Sequence, residues 1–201
     1  MKIFNRKSSK LNKGVSLLLA LAIFIVAISI DLPDGSSLAS AANNQIQYPY
    51  VMMDGHVQDL GWNWFSYYTY HISAGNFDVT SSMTGTTGRS LRLEAIQLYV
   101  NTGNYKLDGK IHVTTKGGER TYSNREARLN SWTYMSGTTG RSIPLHQISI
   151  WLSGDIANKY NIVYRVHVQD EGWKGYVKNG SPAHGSRNQR IEALEVFLEK
   201  K

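Results

Sequence analysis

Three histidines and two glutamates are the residues of this chain whose type and spacing invite chemistry. His56, His112 and His167 stand 56 and 55 positions apart. Brought to one axis, three imidazoles would make the ligand set of a catalytic zinc site. Glu94 and Glu192 offer a pair of carboxylates, which glycoside hydrolysis needs about 5 to 9 Å apart around one bond. Neither pattern is a site by itself. Geometry must bring the rings together, and equivalent positions in separate repeats need not meet. His146 stands where the middle glutamate would fall. The expectation is strand histidines, Glu–Arg pairs with Arg92 and Arg190, and no catalytic residue, metal or cofactor. The chain has no Cys. That removes a thiolate nucleophile, a disulfide framework, an iron–sulfur cluster and most structural zinc sites.

The elements that position these residues repeat. Gly55-His56-Val57-Gln58-Asp59-Leu60-Gly61-Trp62 resembles Val166-His167-Val168-Gln169-Asp170-Glu171-Gly172-Trp173, with a weaker copy at Lys110–Gly117. Gly85-Thr86-Thr87-Gly88-Arg89-Ser90 matches Gly137-Thr138-Thr139-Gly140-Arg141-Ser142. Leu93-Glu94-Ala95-Ile96 matches Ile191-Glu192-Ala193-Leu194. The units run about 48–101, 105–153 and 160–199. Each is too short to hold a large core alone, so they are expected to share one. Val166 and Val168, like Ile148 and Ile150, alternate with polar residues at the strand period. The helix formers of Arg190 to Lys200 argue the other way, but equivalent units fold alike, so this segment is also read as a strand. The Gly-Thr-Thr-Gly-Arg-Ser stretch lacks the Lys-Ser/Thr ending of a phosphate loop and reads as a turn. Three such units suggest an all-β fold closing as a β-prism-like domain, with a β-trefoil as the alternative.

Residues 1–41 read as a secretory signal peptide. A basic start with Lys2, Arg6, Lys7, Lys10 and Lys13 precedes the apolar run Val15 to Ile30, and Ala39-Ser40-Ala41 is an A-x-A cleavage match. Residues 42–201 are then the single β domain. Five of the 22 basic and two of the 15 acidic residues fall before Ala42, leaving 17 against 13, a mild +4. No basic stripe with an RNA-binding aromatic motif exists, so nucleic acid is not an expected partner. No membrane contact is expected once the leader is cleaved. The chain is read as secreted or cell-surface associated. The absence of Cys suits a Gram-positive exporter.

The units resemble clostridial hydrophobic repeats with a conserved tryptophan, the ChW repeats. The likeness lies in His56-Val57-Gln58, Gly61-Trp62, Gly85-Thr86-Thr87-Gly88 and Leu91-Arg92-Leu93-Glu94-Ala95-Ile96. It recurs in His167-Val168-Gln169, Gly172-Trp173 and Arg190-Ile191-Glu192-Ala193-Leu194. The middle unit departs, with Gly118 where Trp would fall and His146-Gln147 for Glu-Ala. The resemblance implies export from Gram-positive anaerobes, surface display, and roles in adhesion or carbohydrate interaction. It supplies no established catalytic site.

Two classes of residue follow from the repeat. His56, Trp62, Glu94, His112, His167, Trp173 and Glu192 hold repeat positions, and structural roles are expected of them, with Trp62 and Trp173 in the shared core. Trp64, Trp132 and Trp151 are not placed by the repeat and are better candidates for a ligand surface. Tyr68 and Tyr70, in an apparent hairpin insertion, join them. So do Arg89 and Arg141 in the turns, and Tyr176 with Asn179. Aromatic faces beside polar groups suit sugar rings. The expected function is a non-catalytic binding module for carbohydrate or a cell-wall polymer. A protein-binding adhesion or structural surface module is the alternative, and a glycoside hydrolase a distant third.

Overall fold

A computed structural model describes residues 49–63, 67–73 and 76–201. The expected leader at 1–41 and Trp64 lie outside the described residues. Alternation sets the strands. In β1 (Tyr50–Val57), Val51, Met53 and Val57 are buried while Met52 and His56 face the other way. Its return strand β2 (Gly61–Asn63) follows a turn with Asp59 at φ 63 and Gly61 at φ 71. A hairpin of β3 (Tyr67–Ser73) and β4 (Asn76–Gly85) precedes β5 (Leu93–Asn101). The second stretch holds β6 (Lys110–Gly117), β7 (Arg120–Arg128), β8 (Ser136–Gly137) and β9 (Leu145–Ser153). After the one-turn α1 (Asp155–Lys159) come β10 (Tyr160–Val168), β11 (Gly172–Trp173), β12 (Val177–Lys178), β13 (Ala183–His184) and β14 (Ile191–Lys200). The protein is all-β. Helix propensity in 191–200 loses to pairing with β10 from Ile191 to Lys200, which buries Ile191, Ala193, Leu194, Val196 and Leu198. Each of these Ile, Leu and Val side chains contributes roughly 1.5–3 kcal/mol when fully buried.

Three sheets form, and each borrows a strand. The first has the order β2-β1-β5-β8, the second β11-β10-β14-β4-β3 with β12 beside β10, and the third β13-β9-β6-β7. The long antiparallel pairs are local: β1 with β5, β6 with β9, β10 with β14. The borrowed strands are not. β8 of the second stretch completes the first sheet, β13 of the third completes the second stretch's sheet, and β4 of the first completes the third stretch's sheet. The exchange is cyclic. Buried polar contacts link the same sheets. Ser82 Oγ donates to the Val51 carbonyl, Thr115 and Ser136 hydroxyls lie 3.0 Å apart, and the Ile150 amide donates to Tyr164 Oη at 2.9 Å.

The first glycine of each Gly-Thr-Thr-Gly stretch serves this exchange rather than a turn. Gly85 pairs with Ala193 and Gly137 with Ala95. Their φ values are +95 and +123, and a Cβ at Gly85 would strike the Glu192 carbonyl and lie 2.7 Å from Ala193 Cα. At Gly137 the same clash falls on Glu94 and Ala95. The second glycine, Gly88, has φ +68 but open space around it, and it makes the exposed turn. Gly85→Ala and Gly137→Ala are each expected to destabilise by about 2–4 kcal/mol, against about 1 kcal/mol for Gly88→Ala. Urea unfolding of the three variants measures the difference, and equal losses would contradict the close approach.

Tyr164 gives a second test. Its ring is fully buried, and its hydroxyl donates to the Ser181 carbonyl at 2.5 Å while accepting from Ile150. Burial pushes the phenol up to about 12. An unfolded tyrosine titrates near 10. Between these values the unfolded chain has lost a proton that the folded one keeps. Tyr164 therefore favours folding fully below pH 10, and that contribution is lost as pH rises towards 12. Tyr164→Phe is expected to cost about 1–3 kcal/mol at neutral pH and to flatten this part of the alkaline stability loss, read by denaturation at fixed pH.

Candidate functional site

Strand register defines the outward face of each sheet. On the first, His56 lies opposite Ala95 on one side and Trp62 on the other. On the second, His167 lies between Ala193 and Trp173 in the same way. The chemistry matches too. Glu94 Oε2 is 3.0 Å from His56 Nδ1, and Glu192 Oε2 is 3.3 Å from His167 Nδ1. Both approaches lie off the ring N–H direction, so they are close contacts rather than aligned hydrogen bonds. Arg92 Nε donates to Glu94 at 2.7 Å, and Arg190 Nη2 lies 3.2 Å from Glu192. Trp62 and Trp173 meet the histidines edge-on at 5.5 and 5.4 Å. The carboxylates are buried, at 3% and 4% exposure, and each is held by its neighbours. Among the described residues no group of three His, Asp or Glu side chains is placed to hold a metal.

Three sequence expectations need correction. His112 is not the middle counterpart of His56 and His167. Lys116 lies opposite Gln147 in the register that sets His56 opposite Ala95, and His146 takes the place of Glu94. Burial, and then the nearby Lys116 charge, pull the His146 imidazole below its ordinary value. Equal spacing misled because the stretches that follow these positions differ in length: the crossing glycine, Gly85, comes 29 residues after His56, whereas Gly137 comes 21 after Lys116. His112 instead bonds Asn124 at 3.0 Å and Ser153 at 2.7 Å, and stacks on Trp151 at 5.1 Å and 5°. Second, Trp151 is not unplaced: its strand register matches that of two other aromatics. Trp151, Tyr99 and Phe197 lie opposite His112, Met52 and Val163, each six residues after its strand begins. Third, Trp62 and Trp173 are half-buried on the outward face, not in the shared core.

The central position of the outward face changes sign between sheets. On the second sheet it is the pair Arg165–Glu195. The Arg165 guanidinium lies 4.6 Å from the Trp173 ring centre and 4.5 Å from that of Tyr176, within the range of a cation–π contact. Its Nε donates to Glu195 Oε2 at 2.6 Å. Tyr176 Oη donates to the same oxygen at 3.1 Å, and Ser81 Oγ to Oε1 at 2.9 Å. Burial pushes the Glu195 carboxyl up, but the Arg165 and Ser81 bonds outweigh it and hold it below its ordinary range.

On the first sheet the corresponding pair is Asp54–Gln97. These two line a cleft of about 290 Å³ with Trp62 and Trp132. Asp54 is 5% exposed, and its Oδ1 has no hydrogen-bond partner among the described residues. Burial pushes its carboxyl above the ordinary range, against the Gly55 amide and the His56 charge. Gln97 Nε2 donates to the Thr133 carbonyl at 3.1 Å, leaving Oε1 as its acceptor. Trp132 is 37% exposed and packs on Tyr99 at 5.4 Å. Sequence reasoning found Trp132 but missed Asp54 and Gln97. Their signal was the polar position two residues before His56, which changes from Asp to Arg two residues before His167.

The other candidates are dispersed. Trp151 is on the third sheet, and Tyr176 belongs to the Arg165 cluster. Asn179 is a structural cap: Oδ1 accepts from the Ile162 amide at 3.0 Å and Nδ2 donates to Asn161 at 2.8 Å. Arg89 and Arg141 are exposed beyond the crossing glycines. Tyr68 and Tyr70 are in β3, paired with β4, and their side chains lie outside the described residues. No family model, curated protein or solved structure matches the chain.

The two central pairs predict opposite mutational effects. Arg165→Gln leaves Glu195 without its cation and is expected to destabilise by about 2–3 kcal/mol, less than the loss of a fully buried pair. Asp54→Asn removes a desolvated carboxylate and is expected to stabilise by about 1 kcal/mol at neutral pH. That gain should vanish in acid below the ordinary carboxylate range, where Asp54 is protonated whether folded or not. Denaturation curves at pH 3 and pH 7 measure it. Destabilisation of the protein by Asp54→Asn at pH 7 would show that the carboxylate has a partner.

Proposed function

We propose that the protein is a non-catalytic binding module for carbohydrate or a cell-wall polymer. The observation that carries this reading is the cleft on the first sheet. Two tryptophans, a carboxylate and an amide converge there, the mixture of apolar walls and few polar groups that small-molecule sites use. A hydrolase has less support. Glu94 and Glu192 belong to separate sheets, and each is engaged by its own histidine and arginine. The cyclic exchange of β4, β8 and β13 supports a prism-like closure over a trefoil. The signal-like leader and the ChW motifs support export and display at the surface of a Gram-positive cell.

The test is retention of the purified protein on insoluble polysaccharides and intact wall sacculi. Saturable retention is expected, with free oligosaccharide competing. Trp132→Ala should weaken it at least tenfold, because base-free ring stacking is lost while Trp132 contributes little to the core. Retention that no sugar competes would sink this reading and favour a protein partner.

A further inference from the structure

The second sheet records what its outward face is built to hold. Between Trp173 and Tyr176 sits a flat cation, the Arg165 guanidinium, anchored on the Glu195 carboxylate. The first sheet keeps the tryptophan that matches Trp173, at the same register beside its histidine. A second aromatic wall, Trp132, arrives from the opposite edge, beside β5. The carboxylate has moved across to β1 as Asp54, and an amide, Gln97, stands where Glu195 would be. No cation among the described residues is bonded to Asp54 Oδ1, and the Asp54 side chain lines an open cleft.

We propose that this cleft binds a protonated amine carried on a sugar ring, so that the ligand is a glycan with free amino groups. The assignment rests on the carbohydrate-binding reading and names its ligand class. Among the described lining residues the Asp54 carboxylate is the one charged group, and it stands beside the Gln97 amide and two tryptophans. An ammonium group has three donors and no acceptor, and it is attracted to the face of a tryptophan. It pairs with the Asp54 carboxylate as Arg165 pairs with Glu195. An N-acetylated sugar carries no positive charge to set against that carboxylate, so it fits less well. The cleft of about 290 Å³ exceeds the space of one cationic group and approaches the lower end of ligand pockets, roughly 300 Å³. That leaves room for the ring that bears the amine.

The experiment titrates the purified protein with fully deacetylated and fully N-acetylated glucosamine oligosaccharides of equal length, read by calorimetry at pH 6. An arginine amide titration runs beside them. The free-amine oligosaccharide is expected to bind at least tenfold tighter than its N-acetyl form. Asp54→Asn should remove that preference, and Trp132→Ala should weaken both sugars. A thermal melt checks that each variant is folded. Equal binding of the two sugars, dependent on Trp132, would overturn the amine assignment and leave the glycan reading standing. A preference that survives Asp54→Asn would also overturn it. Binding of arginine amide but neither sugar, lost in Asp54→Asn, would overturn both and make the cleft a site for a protein side chain. Binding of none of the three would overturn the assignment outright.

Discussion

Everything in this fold depends on three places where one stretch of chain lends a strand to the sheet of another. β4, β8 and β13 each leave the stretch that made them and complete a sheet founded elsewhere. At two of these crossings the backbones approach so closely that only glycine fits, at Gly85 against Glu192 and Ala193 and at Gly137 against Glu94 and Ala95. The third crossing uses His184 opposite Gln147, and that sheet has also lost the Glu–Ala pair. No sheet is complete without its donor. The shared core, from Val51 and Leu93 through Ile111 and Ile150 to Val166 and Leu194, is thereby one cooperative unit rather than three small ones.

The same crossings hold the buried carboxylates. The Thr86 amide donates to the Glu192 carbonyl at 2.9 Å, and the Thr138 amide to the Glu94 carbonyl at 3.0 Å. The strand that each borrowed segment grips is thus the one whose glutamate meets histidine and arginine. This gives Glu, His and Arg a structural reason to recur with the Gly-Thr-Thr-Gly motif. The recurring residues build the sheet, and the positions that vary between them are left to differ in function. Arg165 and Glu195 neutralise each other on one sheet, whereas on another Asp54 lines a cleft beside Gln97 with no bonded cation among the described residues.

Much of this architecture was legible in the sequence. The period-two runs around Val166 and Ile150 fixed strands correctly, and pairing equivalent units read 191–200 as a strand despite its helix formers. The Glu–Arg pairs were also legible, because Arg92 and Glu94 lie two apart on one strand face. What failed was register. His112 matched His56 by spacing, but strand pairing puts Lys116 in that place, and equal spacing does not see that the β3–β4 hairpin lengthens the first stretch alone. Trp151 looked unplaced because it aligns with Tyr99 and Phe197, and a search for identical residues misses an aromatic position filled three ways. The cleft was half visible. Trp132 stood out by type, but Asp54 acquires its meaning only when burial removes its partners.

The claim that matters most is that ligand recognition is confined to the outward face of the first sheet. Backbone amide shifts of the labelled protein, followed by NMR during titration with a solubilised wall glycan, test it directly. The account predicts that the largest shifts cluster at Asp54, Trp62, Gln97, Trp132 and Thr133, with His112, Trp151 and the Arg165 cluster unmoved. Shifts centred on Trp151 and the third sheet, or spread evenly over all three sheets, would contradict it.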